Sequence, residues 1–189
     1  VVRISIAVQA LIMAMLFSMI STVQPIYDIS YGRAESFPLW FGGVAILAAS
    51  GSVLNAALVM RLGMRFLVTA VLGLQVVLAG AALVVFATGL PSDLGFAVFV
   101  VWQLAVFFQM GLTMGNLNAI AMEPVGHIAG LAASVIGALA TVMGVVIAIP
   151  TGLMFDGTPL PLAGGIFVEA VLALLLMRKM AKIEQANPV

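Results

Sequence analysis

The sequence predicts an all-α integral membrane protein with six transmembrane helices, and three observations lead there. Only 7% of its 189 residues are charged, where a soluble domain carries about 25%. Such a chain has too little polarity to cover its own surface in water. Apolar runs of spanning length recur six times, at about 4–23, 38–60, 66–88, 94–116, 127–150 and 160–178; each is close to the roughly 20 residues that cross a bilayer as a helix. Finally, Lys and Arg fall almost entirely in alternate connecting segments.

The elements follow in order. The run 4–23 is longer than a signal-peptide apolar region and lacks a small-residue cleavage site, so it reads as a spanning helix. The chain opens on Val1, without an initiator methionine, and the expectation is that it begins partway through a longer protein. "QPIYDISYGRAESFP" (24–38) breaks the pattern before the second run. That run ends at "RLGMR" (61–65), a tight turn in which Arg61 and Arg65 flank Gly63 and anchor two helix ends at the headgroups. "TGLPSD" (88–93) closes the third run and "MEPVGH" (122–127) the fourth. Pro124 lacks a backbone N–H and is expected to push Glu123 out of helical geometry, while Gly126 supplies a permissive turn position. The next helix then starts near His127. It carries a stripe of small residues, Ser134, Gly137, Thr141, Gly144 and Ala148, expected to pack closely on a neighbour. Pro150 is expected to kink its outer end. "DGTPLP" (156–161) leads into the last run.

Six crossings put both termini and the second and fourth turns on one side. That side holds Arg3, Arg61, Arg65, Arg178, Lys179 and Lys182, leaving Arg33 opposite with Asp28, Glu35, Asp93 and Asp156. The positive-inside rule makes the basic side, and with it both termini, cytoplasmic.

Several chemistries are excluded or disfavoured. With no cysteine, thiol catalysis, cysteine-ligated zinc and disulfides are impossible. Zero formal net charge argues against nucleic acid as a partner. The only histidine, His127, lies beside Glu123, and two ligands are too few for a metal site. The pair reads either as a turn that ends one helix and begins another or as a contact at a gate. A Ser–His dyad with Ser50 or Ser52, as in an intramembrane serine protease, would need the side chains within hydrogen-bond reach. Helix rise instead separates them by about 10–15 Å along the membrane normal.

Polar residues inside the spans are the remaining candidates. Gln103, Phe107, Met110 and Met114 share one face of the fourth helix, and Gln9, Met13 and Phe17 form a similar line on the first. Such faces suit an apolar pocket with a few polar groups, fit for bulky amphipathic compounds; interhelical packing is the alternative. Glu169, the only acid within a span, is either a proton or cation site or a neutralised glutamate near water. Asn55, Gln75, Asn116 and Asn118 read as interhelical hydrogen-bond formers.

Two motifs resemble a known family. "RLGMR" is similar to the repeated Gly-x-x-x-Asp-Arg-x-Gly-Arg-Arg turn of major facilitator superfamily transporters. Arg61, Gly63 and Arg65 match, with Met60 in place of the aspartate and Ala56 in place of the first glycine. "GNLNAIAMEPVGHIAGLAASVIG" (115–137) and "FDGTPLPL" (155–162) resemble the last third of Bcr/CflA-type drug-resistance transporters, with a looser likeness in "QPIYDISYGRAESFPLWF" (24–41). The resemblance implies that residues 1–189 form the C-terminal six-helix half of a twelve-helix major facilitator fold. It implies proton-coupled multidrug efflux across a bacterial inner membrane, hence antibiotic resistance. The partners would then be a drug-like substrate, protons and an N-terminal half; there would be no cofactor, the proton gradient being the driving force. The first and fourth helices would line the substrate cavity and the last would pack outside it. Arg61, Gly63, Arg65, Glu123 and His127 would form the cytoplasmic gate or turns. The alternative outside the family is a self-contained six-helix protein, either a dimerising half-transporter or a scaffold.

Overall fold

A computed structural model describes residues 1–186, with the side chain of His127 outside the described set. Among the described residues there is no strand. The chain forms α1 (Val2–Pro25), α2 (Phe37–Leu62), α3 (Met64–Ala87), α4 (Ser92–Met122), α5 (Ala129–Leu153) and α6 (Leu160–Ala186). All six are long and apolar enough to cross a membrane. Most outrun the apolar stretches that announced them. At 31 residues α4 is about 46 Å long by helix rise, against a hydrocarbon core of about 30 Å. Hydropathy marks the part of a helix that lies in hydrocarbon, while backbone hydrogen bonding carries it on into the headgroup layer.

The turns explain their sequences. Gly63 alone links α2 to α3, at φ 80° and ψ 152°. Its N–H reaches the carbonyl of Val59 and its carbonyl accepts from Leu67 N–H, so one residue closes both helices. That backbone geometry belongs almost exclusively to glycine, and Gly63→Val is expected to cost about 1–3 kcal/mol, read as a lower melting temperature in detergent. After α4 the chain departs from expectation. Glu123 keeps helical dihedrals (φ −46°, ψ −49°), and Pro124 occupies the first turn of a 3-10 segment, Glu123–Ile128, where its missing N–H costs nothing. Helical geometry is lost one residue later, at Val125 (φ −124°, ψ 26°), and α5 starts at Ala129. Pro150 does not end α5, which runs through it to Leu153. At the far end α1 continues as a π-helical turn, Ile26–Ser30. Asp156 accepts from Thr158 N–H and Oγ1 at 3.0 and 2.7 Å. These bonds hold its carboxyl below the usual carboxylate range.

Polar contacts at the two ends show that the helices alternate in direction. Arg65, Glu123 and Glu184 meet at one end, next to Val1 and Val2. At the other, Arg33 pairs with Asp93 at 2.7 Å and Ser30 Oγ donates to the carbonyl of Gly157 at 2.7 Å. Tyr27 sits there in an aromatic cluster, edge to face with Phe37, Phe96 and Phe99 at 5.3, 5.1 and 6.0 Å. The guanidinium of Arg33 lies 4.5 Å above Phe96.

The helices form two layers of three, α2–α4–α3 and α5–α1–α6, with α4 against α1 and α3 against α6. Exchanging the first three helices for the last three leaves this pairing pattern unchanged: α1–α5 becomes α4–α2, and α1–α6 becomes α4–α3. Because α1 and α4 run in opposite directions, the two three-helix units are inverted relative to each other. The outer members, α2 and α5, each lean mainly on one helix, and large apolar side chains such as Leu39, Ile46, Val142 and Val146 stay exposed on them.

Glycines set the closest crossings. A Cβ at Gly111 would sit 2.6 Å from the backbone nitrogen of Ser52, and one at Gly51 2.6 Å from the carbonyl of Phe108. At α1–α5, a Cβ at Gly144 would lie 2.6 Å from that of Met13. The buried stripe on α5 is Ile136, Ala140, Gly144, Ala148 and Thr151. Of the expected small-residue line only Gly144 and Ala148 belong to it; Ser134 and Thr141 face outward. The contact follows a ridge of four-residue steps, as in ridges-into-grooves packing, rather than alternating steps of three and four.

Candidate functional site

The layers meet where α1 packs on α4 and α3 on α6, and α1 and α4 carry most of the buried polar side chains. Ser5, Gln9, Ser18 and Thr22 of α1 and Gln103, Gln109, Thr113 and Asn116 of α4 are all buried. Some find partners across helices. Tyr27 Oη donates to Gln103 Oε1 at 2.9 Å, Gln109 Nε2 to Met15 Sδ at 3.2 Å, and Asn116 Nδ2 to Asn55 Oδ1 at 2.7 Å. Others keep unused bonding capacity: both side-chain atoms of Gln9, Nε2 of Gln103 and Oε1 of Gln109 have no partner, as is true of Nε1 of Trp102, Nε2 of Gln75 on α3 and Oε2 of Glu169 on α6. Buried polar groups are usually satisfied, and at membrane depth an unsatisfied one is costly, so this concentration marks the functional candidate. Tyr27→Phe would add to it by stripping Gln103 Oε1, at an expected cost of about 1–3 kcal/mol, seen as a lower melting temperature in detergent.

The sequence-predicted residues are placed as follows. Gln9 and Gln103 are wholly enclosed (0% exposed). Met13, Phe17, Phe107 and Met110 are half-buried. Met13 abuts Gly144 of α5, and Phe17 lines a cavity of about 490 Å³ between α1 and α5. Phe107 stacks edge-on against Phe41 of α2 at 5.7 Å. The two glutamines are thus enclosed in the bundle, while Met13 and Phe17 reach α5, Phe107 reaches α2 and Met110 is half-buried on α4. Glu169 is 4% exposed and points inward at α1, accepting from Ser18 Oγ at 3.3 Å.

At the basic end Arg65 bridges two carboxylates. Its Nε donates to both oxygens of Glu184 at 2.9 and 2.8 Å, and its terminal nitrogens donate to Glu123 at 3.1 and 2.6 Å. One guanidinium fork thus ties the starts of α3 and of the 3-10 turn to the end of α6, beside a cavity of about 1010 Å³ that Arg3 also lines. Arg61 is exposed nearby. The backbone of His127 lies in the 3-10 turn, and its side chain is outside the described residues. Ser50 donates to the carbonyl of Leu47. Ser52 is ten residues short of Leu62, the last residue of α2 at this end, or about 15 Å by helix rise. Among the described residues no His, Asp and Glu cluster has metal-binding geometry.

Sequence reasoning missed four participants. Tyr27 and Ser18 are 76 and 151 residues from their partners, which no local pattern reveals. Gln109 falls off the periodic face used to choose Gln103. Glu184 was detectable, as an acid in the basic last turn region of the final helix. Comparison with known protein families, with curated proteins and with solved structures found nothing that matches this chain.

Proposed function

We propose that this chain is one half of a secondary active transporter, of the Bcr/CflA type within the major facilitator superfamily. It exports amphipathic drug-like compounds from the bacterial cytoplasm in exchange for protons. The exchange symmetry of the two inverted three-helix units carries the reading. Transporters are commonly built from inverted repeats with the substrate site at mid-membrane on the repeat interface. In this chain that interface includes the α1–α4 contact, and Gln9 of α1 and Gln103 and Gln109 of α4 keep polar atoms without partners. The thinly packed α2 and α5 flank it and leave room for a second six-helix unit, so that substrate binds between the two. Arg65, Glu123 and Glu184 then form a latch on the cytoplasmic side, which breaks and re-forms as access alternates.

The test is accumulation of a broad panel of cationic and neutral drugs in cells carrying the full-length gene, with and without an uncoupler. Expression should lower accumulation, and the uncoupler should restore it. Accumulation unchanged by both across the panel would overturn drug–proton exchange.

A further inference from the structure

Toward its end α6 sorts its charges by direction. Glu184 pairs with Arg65 at 2.8 Å, while Arg178, Lys179 and Lys182 are all exposed. Among the described residues none of these three cations has an ion-pair partner. The exposed face continues back along the helix. Val168, Leu172, Leu175, Lys179 and Lys182 follow one another at steps of four, three, four and three, which sets them in a single stripe. All five are exposed. The opposite face, with Ala170, Ala173, Met177 and Met180, is buried, and α6 packs mainly on α3 and α1. Read along the axis, the exposed stripe is first apolar and then cationic.

We propose that this stripe binds membrane phospholipids whose headgroup carries net negative charge. Lys179 and Lys182, with Arg178 beside them, hold the phosphate, and an acyl chain lies along Leu175, Leu172 and Val168. Three features select this ligand. The order of the stripe, apolar then cationic, is the order of a phospholipid from tail to headgroup. Its depth agrees: Lys179 stands 19 residues beyond Leu160, the first residue of α6, or about 29 Å by helix rise. A hydrocarbon core of about 30 Å entered at Leu160 gives way to headgroups there. Charge decides between headgroups. This end of the bundle carries six cations against two carboxylates, Glu123 and Glu184, and Arg65 already holds both. A zwitterionic headgroup leaves that surplus unmatched, whereas each Lys or Arg at an anionic lipid surface strengthens binding about 5-fold. The stripe lies on α6, apart from the α2 and α5 surfaces left for a second six-helix unit, and its binding of lipid does not depend on transport.

The experiment is native mass spectrometry of the purified full chain in non-ionic detergent, titrated with dioleoyl phosphatidylglycerol or with dioleoyl phosphatidylcholine, which has the same acyl chains. Wild type and the control Glu35→Gln should bind phosphatidylglycerol at least about 10-fold more tightly than phosphatidylcholine. The triple variant Arg178→Gln, Lys179→Gln, Lys182→Gln should lose that preference. The charge-conserving variant Arg178→Lys, Lys179→Arg, Lys182→Arg should keep it. Equal binding of the two lipids by wild type, or an undiminished preference in the folded triple glutamine variant, would overturn the assignment. Inorganic phosphate in large excess should not displace the lipid; displacement would mean a site for free anions and overturn the lipid reading. If the triple variant fails to fold, phosphatidylglycerol with a diazirine in its acyl chain decides the matter on wild type by peptide mapping. Adducts on the segment holding Leu172 and Leu175 support the site; adducts elsewhere, or none, sink it.

Discussion

Replacing Gly111 with leucine should detach α2 from α4 and prevent the bundle from closing. The barrier is backbone against backbone. A Cβ at this position would lie 2.6 Å from the nitrogen of Ser52 and 2.8 Å from the carbonyl carbon of Gly51. Neither can rotate aside as a side chain does, and close-packed interiors transmit such a clash instead of absorbing it. Added methylenes in a packed core cost about 1–3 kcal/mol, and here the whole crossing must widen. Since α2 rests mainly on α4, only its smaller contact with α3 and the Phe37–Tyr27 pair would be left to hold it. A thiol cross-link reports the outcome. Asn55 and Asn116 bond across the same crossing at 2.7 Å, and in this cysteine-free chain the pair Asn55→Cys and Asn116→Cys should cross-link with a short bis-thiol-reactive reagent. Gly111→Leu should abolish the cross-link, while Gly111→Ala should weaken it. Full cross-linking in the leucine variant would show that the crossing is looser than described.

Arg65→Glu should produce the next largest effect, at the basic end. It removes four charge-assisted hydrogen bonds and sets three carboxylates around one point. Exposed ion pairs contribute about 0.2–1 kcal/mol each, and these side chains are 38%, 42% and 25% exposed, so solvent screening limits the sum. Turning two attractions into two repulsions should still cost on the order of 2 kcal/mol. The signature is ionic: the drop in melting temperature should shrink in about 1 M salt, where the Debye length is near 3 Å. Arg65→Lys should fall between, because an ammonium cannot reproduce the two-pronged geometry. Adding Glu184→Arg to Arg65→Glu should recover part of the loss. A salt-independent drop would mean that packing, not charge, is at stake.

The helices were legible because hydrocarbon selects for long apolar runs, and the turns because Gly63, Pro124 and the Asp156–Thr158 segment carry local rules. Pairings were not. The stripe on α5 was chosen by residue size, yet its contact face follows the crossing with α1, which swaps Ser134 and Thr141 for Ile136 and Ala140. Periodicity gathered Gln9 with Met13 and Phe17 on one side of a helix. It could not say that the crowded neighbours of α1 would enclose Gln9 and leave Phe17 at a cavity edge. Glu169 stands out in the sequence as the one acid within a predicted span. That it faces Ser18 rather than lipid is a tertiary fact, set by α6 packing against α1.

The order of pairing also bears on how the protein is made. Apart from α3 with α4, the extensive contacts join helices that are not consecutive: α1 with α5 and α6, α2 with α4, α3 with α6. A ribosome delivers α1 before the other five helices, yet α5 and α6, which cover it, are the last of the six to follow. Until α5 and α6 leave the translocon, Ser18 and its neighbours on α1 must wait against lipid or a chaperone. A chain stalled after α4 would therefore present unassembled polar helix faces within the membrane, the kind of defect that membrane proteases remove.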